Sequence, residues 1–317
     1  MMPAATDTAT APAALQGGDM QHAFAAWSAQ QQAAVEQALS DWVGAGAPEP
    51  LAQAMRYAVL DGGKRLRPLL VLAACEAVGG HYPAALRAAC AVELIHAYSL
   101  VHDDMPCMDN DVLRRGKPTV HVQFGEADAL LAGDALQALA FELLVPDSEQ
   151  EIPAAMQAQL CRLLARAAGA EGMAGGQAID LASVGKQLDR EQLQRMHRLK
   201  TGALLQASVS MGAACGAAEG SVRTALADYG AAIGLAFQVV DDILDVVADS
   251  ATLGKTAGKD AINDKPTYVS LLGLQAAQEY ARHLHDEAMQ ALRASGLPDA
   301  RLGILRALAD KVIQRSS

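Results

Sequence analysis

From Phe24 to the C-terminus, apolar residues recur at helical spacing and are interrupted only by short Gly/Pro breaks. No stretch alternates apolar and polar residues as a half-buried strand does, and no internal repeat is visible. The spacing predicts helices over 24–43, 51–60, 68–78, 83–104, 127–144, 153–168, 189–215, 222–248, 275–294 and 298–314. Gly44 to Pro48, Gly62-Gly63 and Gly79-Gly80 punctuate the first of these, and 105–118, holding Pro106, Gly116 and Pro118, reads as a loop. Apolar residues make up 51% of the chain but aromatics only 4%, so the core is built mainly from Ala and Leu, which favour helices. Helices apolar on several faces must pack among others. The expected fold is therefore all-α: one bundle of roughly ten helices over 21–317, after a disordered tail at 1–20.

Charge and cysteine usage exclude several classes. With 25 Lys+Arg against 36 Asp+Glu the net charge is 25 − 36 = −11, which argues against a broad nucleic-acid surface. The cysteines number 5, an odd count with no C-x-x-C pair, so neither a disulfide framework nor a zinc knuckle is expected. No uninterrupted apolar run reaches membrane-spanning length. No Lys or Arg precedes Arg56, unlike a secretory or mitochondrial leader, and the expected location is the cytoplasm.

Three segments carry chemistry. HDDMPCMDNDVLRRGKPT (102–119) sets Asp103, Asp104, Asp109 and Asp111 beside Arg114, Arg115 and Lys117, directly after an apolar helix. A lone acidic cluster is usually a solvated turn, but carboxylates drawn toward a core repel one another unless a cation compensates. In FQVVDDILD (237–245), Asp241 and Asp245 share one helical face with Gln238 a turn earlier, and the surrounding residues are apolar. Like charges four apart cost helix stability, so a metal is the better reading, and oxygen donors suit Mg²⁺. GGKRLRP (62–68) places Lys64, Arg65 and Arg67 at the start of a helix, where N–H groups already favour anions. Lys200-Thr201-Gly202, LGKTAGKD (253–260) and Lys265 add further donors. Together these describe a seat for metal-bridged diphosphates above an apolar cavity.

With both Asp-rich segments, GGKRLRP, RRGKPT, KTG and GKTAGKD in this order, the chain from about residue 21 resembles the polyprenyl (isoprenyl) diphosphate synthase family, and most closely its bacterial farnesyl diphosphate synthases. The resemblance implies a bundle around a deep cavity, normally a homodimer, that joins isopentenyl diphosphate head-to-tail to dimethylallyl or geranyl diphosphate. It implies that Lys64, Arg67, His96 and Arg115 bind isopentenyl diphosphate. Arg114, Lys200, Thr201, Gln238, Lys255 and Lys265 would grip the allylic diphosphate. Asp103, Asp104, Asp109, Asp241, Asp242 and Asp245 would hold Mg²⁺, three ions per site. Asp103, Asp109, Lys200, Thr201 and Asp241 would be the residues of the chemical step. Tyr98, an aromatic one turn before Asp103, would floor the tail cavity for a fifteen-carbon product, with the small Ser99 leaving room for the ten-carbon substrate. Geranylgeranyl or geranyl diphosphate are the alternative products.

Rival readings are weaker. Glu93-x-x-His96 has the spacing of di-iron bundles, but those need a second copy, and none exists here. Gly254-Lys255-Thr256 ends like a P-loop, yet position 249 is Asp rather than Gly. Terpene cyclases share Asp-rich motifs but need no isopentenyl site, and a non-catalytic subunit would be expected to lose one acidic motif, whereas both are present.

Overall fold

A computed structural model describes residues 17–314 except 61, 148–151, 187, 217, 219 and 248–265. The expected tail lies mostly outside these residues, as do Lys255 and Lys265. The helices run α1 (Gly17–Trp42), α2 (Glu49–Val59), α3 (Leu66–Val78), α4 (Tyr82–Asp103), α5 (Val120–Phe124), α6 (Glu126–Glu142) and α7 (Ala154–Ala168). They continue with α8 (Met173–Ala182), α9 (Arg190–His197), a π-turn at Arg198–Gly202, α10 (Ala203–Ala214) and α11 (Gly220–Val247). Last come α12 (Tyr268–Leu272), α13 (Leu274–Ala294) and α14 (Asp299–Gln314).

The bundle is all-α, and it is organised around two largely apolar helices that each face two cores. Residues of α3 face two ways: Val71, Leu72 and Cys75 enter a core built around α4, while Leu69, Leu70, Ala73 and Ala74 enter one built around α11. In α10 the same split places Leu204, Ala207 and Met211 on the first side and Leu205, Val209 and Ala213 on the second. Helices with two apolar faces are most stable as an inner layer, which is where α3 and α10 sit. Gly212 makes their contact close, since a Cβ there would fall on the Val71 carbonyl.

Local signals set the helix boundaries. Gly79 ends α3 in the left-handed region at φ +66°, and His81 caps α4 by accepting the Ala84 N–H at 3.3 Å. Asp189 and Gln192 form a reciprocal capping box that starts α9. By length and composition α4 could cross a membrane, but 72% of its most apolar window is buried among other helices.

Five features depart from the sequence expectations. Helix α1 begins at Gly17 rather than near Phe24, because Met20 packs against Gly303 and Lys311 lies 5.6 Å over the Phe24 ring, anchoring that end to α14. Helix α8 occupies a stretch for which no helix was expected. The predicted helix 189–215 is split by the π-turn. Short helices α5 and α12 add to the set. Within the 105–118 loop, Leu113–Arg114 pairs with Lys117–Pro118 as a minimal hairpin. Arg115 (φ 51°) and Gly116 (φ 77°) form its two-residue turn.

Candidate active site

The carboxyl end of α4, the π-turn and α8 enclose a cleft of about 370 Å³ lined by Arg67, His96, Tyr98, Ser99, Asp103, Gln177, Leu181, Lys200 and Thr201, among others. A smaller hollow of about 60 Å³ lies on the other side of His96, against Arg114, Arg115, Lys117 and Thr119. His96 thus forms a wall between the two. Burial, reinforced by Arg67, Arg115 and Arg114, holds its imidazole pKa well below the usual value, so it faces both hollows as a neutral group.

The basic segment divides its labour. Arg65, left-handed at φ 46° and 4% exposed, donates to Glu36 at 2.6 Å, Glu93 at 2.7 Å and the Val59 carbonyl at 2.6 Å. Its guanidinium is spent tying α1, α2 and α4 to α3. This also accounts for Glu93 of the E-x-x-H spacing, which belongs to a buried ion pair. Arg67, the second residue of α3, lines the cleft with a buried Nε that has no hydrogen-bond partner among the described residues. Arg115 donates to the Gly62 carbonyl at 2.7 Å and crowds Gly63, which joins the hairpin to the glycine turn before α3. Lys64 is exposed at that turn.

The first acidic segment is also divided. Asp104 is buried and receives Arg114 through both oxygens, Nε at 2.8 Å and Nη2 at 2.6 Å. Both residues are thereby engaged with each other. Asp103 lines the cleft. Burial and the neighbouring Asp109 and Asp104, opposed by Lys200 and Arg114, push its carboxyl up to about 6. Such crowding is what a divalent cation would relieve.

On the facing side, the π-turn carries Lys200 and Thr201. Lys200 Nζ lies 2.5 Å from Asp180 of α8. Thr201 Oγ1 donates to Gln238 Oε1 at 2.9 Å, Gln238 Nε2 donates to Asp242 Oδ1 at 2.9 Å, and the Tyr268 N–H reaches Asp242 Oδ2 at 2.8 Å. Asp242, 2% exposed, thus accepts hydrogen bonds at both carboxylate oxygens, from Gln238 and from the Tyr268 backbone. Asp241 is partly exposed and Asp245 buried on the same helix, and neither lines the cleft. Among the described residues no three such donors converge closely enough to hold a metal by themselves.

The π-turn keeps its place through glycines on both sides. A Cβ at Gly176 of α8 would fall on the Lys200 backbone, and one at Gly234 of α11 would lie 2.9 Å from Gly202 Cα. Sequence reasoning missed Gln177 and Asp180 because no helix was expected over 173–182: the glycines within GMAGGQAID interrupt the apolar periodicity, and only the backbone they touch shows them as contact positions. At the deep end, Tyr98 packs edge-on to His102 with centroids 5.7 Å apart, and His102 Nε2 lies 3.1 Å from the Leu130 carbonyl. Ser99 turns its hydroxyl back to the His96 carbonyl at 2.9 Å.

Comparison with known proteins agrees with this geometry. The Polyprenyl synthetase family profile matches residues 48–296. The chain is 49% identical over 268 residues to the farnesyl diphosphate synthase of Escherichia coli (strain K12), covering 84% of this chain and 90% of that protein. It is 46% identical over 295 residues to the chloroplastic geranylgeranyl pyrophosphate synthase of Capsicum annuum, covering 93% and 79%. A solved structure of a Helicobacter pylori geranyltransferase, complexed with magnesium and isoprenyl diphosphate, superposes with TM-score 0.80 at 35% identity, covering 92% of this chain and 98% of that one. A cationic wall and an acidic rim flank one cleft, and the alignments run through nearly the whole bundle: the chain belongs to the polyprenyl synthetase family, whose members are prenyl transferases.

Proposed function

We propose that this chain makes farnesyl diphosphate by joining isopentenyl diphosphate head-to-tail to dimethylallyl and then geranyl diphosphate. The observation that carries the reading is the single cleft in which Arg67 and Lys200, an acidic rim at Asp103 and a tail wall at Tyr98 and Ser99 meet. Lys64, Arg67, His96 and Arg115 form the isopentenyl seat, and Lys200, Thr201 and Gln238, with Lys255 and Lys265, the allylic one. Magnesium, bound in the Helicobacter pylori relative, fits the hard oxygen donors Asp103 and Asp109 on one side and Asp241 and Asp245 on the other. Three ions per site are proposed; when bound they neutralise charge on the departing diphosphate.

The chain's own residues do the rest. Lys200 and Arg67 hold diphosphate oxygens, and neutral His96 donates an N–H without adding charge to the crowded cationic wall. Thr201, fixed through Gln238 and Asp242, sets the position of the reacting carbons. Leu181, Met173 and the Tyr98 ring exclude water while an allylic cation exists, so that the isopentenyl double bond attacks before hydrolysis does. Tyr98, braced by His102, supports fifteen carbons as the limit over the geranylgeranyl alternative. We also propose a homodimer through the α5–α6 face, where Val122, Leu130 and Leu131 are exposed together.

Purified protein supplied with both substrates and Mg²⁺ should yield a fifteen-carbon diphosphate, and chelation should stop turnover. Asp103→Ala or Asp241→Ala should cut turnover by orders of magnitude with helical circular dichroism intact. Unchanged rates would sink the metal assignment; a twenty-carbon main product would replace the farnesyl reading.

A further inference from the structure

Neither the diphosphate seats nor the metal-seeking carboxylates account for His102. It follows Tyr98 by one turn of α4, so the two rings share a helix face, and both line the cleft. Behind it, His102 Nε2 lies 3.1 Å from the Leu130 carbonyl of α6. A carbonyl oxygen only accepts, so Nε2 carries the proton and donates it there. The same ring rests on Gly133, three residues further along α6. A Cβ at Gly133 would fall 2.1 Å from His102 Nε2, 2.5 Å from Cδ2 and 2.8 Å from Cε1, so all three of its nearest atoms belong to this ring. Gly133 lies inside a regular helix and is buried, where alanine would be the more stable residue. What glycine supplies at this point is room for an imidazole.

The place of this cradle indicates its use. Among the described residues, none of α6 lines the cleft. Helix α6 therefore acts on the cleft through α4 side chains: through His102, and through Tyr98, whose hydroxyl is hydrogen-bonded to the Gln137 side chain one turn beyond Gly133. A growing tail presses on whatever ends the cleft. A half-buried ring such as Tyr98 yields by turning about its side-chain bonds unless a neighbour occupies the space it would turn into. His102 occupies that space, edge-on to Tyr98 at 5.7 Å between centroids. Clamped to α6 on its other side, the imidazole is a plate of fixed thickness between a helix and the floor. Its seat on Gly133 thus sets how far the floor stands from α6, and so how much of the cleft is left for carbon.

We infer that His102, seated on Leu130 and Gly133 of α6, is a positioning residue that sets product length by bracing Tyr98. This rests on the prenyl-transfer reading above, and the two fail differently: a wild-type chain that makes no prenyl diphosphate defeats that reading, whereas an active one supplies the reference length from which shifts are read. The test is product chromatography with both substrates and Mg²⁺. His102→Ala removes the brace and leaves the Tyr98 ring in place; the ratio of twenty- to fifteen-carbon product should rise at least about ten-fold. His102→Gln keeps a donor for the Leu130 carbonyl and should hold the wild-type length. Gly133→Ala should act in the opposite direction, because its methyl drives the ring away from α6 toward Tyr98 and shifts product toward ten carbons. Combining Gly133→Ala with His102→Ala should give the lengths of His102→Ala alone, since the methyl then has no ring to push. This double variant also regains the room, so it carries the test together with His102→Ala if Gly133→Ala by itself does not fold. Unchanged lengths in His102→Ala overturn the inference. So does a longer product from Gly133→Ala, which would mean general loosening, or a double variant shorter than His102→Ala, which would mean that the methyl acts without the imidazole.

Discussion

Arg65 and Arg67 sit on either side of one leucine, yet their surroundings give them opposite consequences for stability and binding. Arg65 is enclosed by Glu36, Glu93 and the Val59 carbonyl, so Arg65→Ala would strand Glu93, itself 4% exposed, without its cation. Breaking a buried pair in this way costs about 3–5 kcal/mol, and thermal unfolding should show that loss. Arg67 has an unserved Nε at the cleft. Arg67→Ala should leave stability within about 1 kcal/mol while raising the KM for isopentenyl diphosphate at least ten-fold in steady-state kinetics. The reverse pattern would exchange their roles. His197 supplies a second test. It is 5% exposed, stacks on Tyr268 at 5.4 Å and lies 3.9 Å from Asp242, but burial holds its pKa down at about 3, so no ion pair forms. Between the ordinary histidine value near 6.5 and that low value, the unfolded chain binds a proton that the folded chain refuses. Stability therefore falls as pH drops through this window, by an amount on the order of a few kcal/mol. His197→Phe keeps the stacking and cannot take up the proton. Its stability relative to wild type, measured by urea unfolding, should improve steadily from pH 7 to pH 4.5; a constant difference would refute the buried neutral imidazole.

The π-turn is the element on which the cleft depends. In it, regular helical bonding gives way between Arg198 and Gly202, and α8 and α11 press against it at Gly176 and Gly234. Gly176→Ala would drive a methyl into the Lys200 backbone. We expect a loss of at least about 2 kcal/mol from overpacking together with a collapse in kcat, read by thermal melting and steady-state assay; a neutral outcome would show that α8 is free to shift. This element also marks where reading the sequence stopped. The long helices and the two Asp clusters were legible because periodicity and like-charge spacing are local properties of the chain. Helix α8 was hidden because Gly175 and Gly176 carry the local mark of a break, and only the backbone they touch reveals them as packing positions. The different roles of Asp103 and Asp104, or of Asp241 and Asp242, depend on partners ten to twenty-six residues away, Arg114 and Tyr268, which spacing alone does not reveal.

At the scale of the whole molecule, two cores meet along α3 and α10, and the cleft runs down the α4 side of that seam. Its depth ends where Tyr98 meets His102, which is held in turn against α6 at the Leu130 carbonyl and at Gly133. Removing the ring should open the floor without unsettling the bundle, because Tyr98 is only half-buried. Tyr98→Ala should shift product toward twenty carbons and beyond, and Ser99→Phe toward ten. Chromatography showing the same chain lengths for both would remove the floor. His96, the partition shared by the large and small hollows, has a consequence for how the enzyme is fed. On the proposed reading, two polyanionic substrates settle on opposite faces of one screen and draw on one pool of positive field. The earlier arrival weakens the pull on the later, so an oversupply of the five-carbon donor should slow turnover, and flux should follow the ratio of the two feeds rather than their sum.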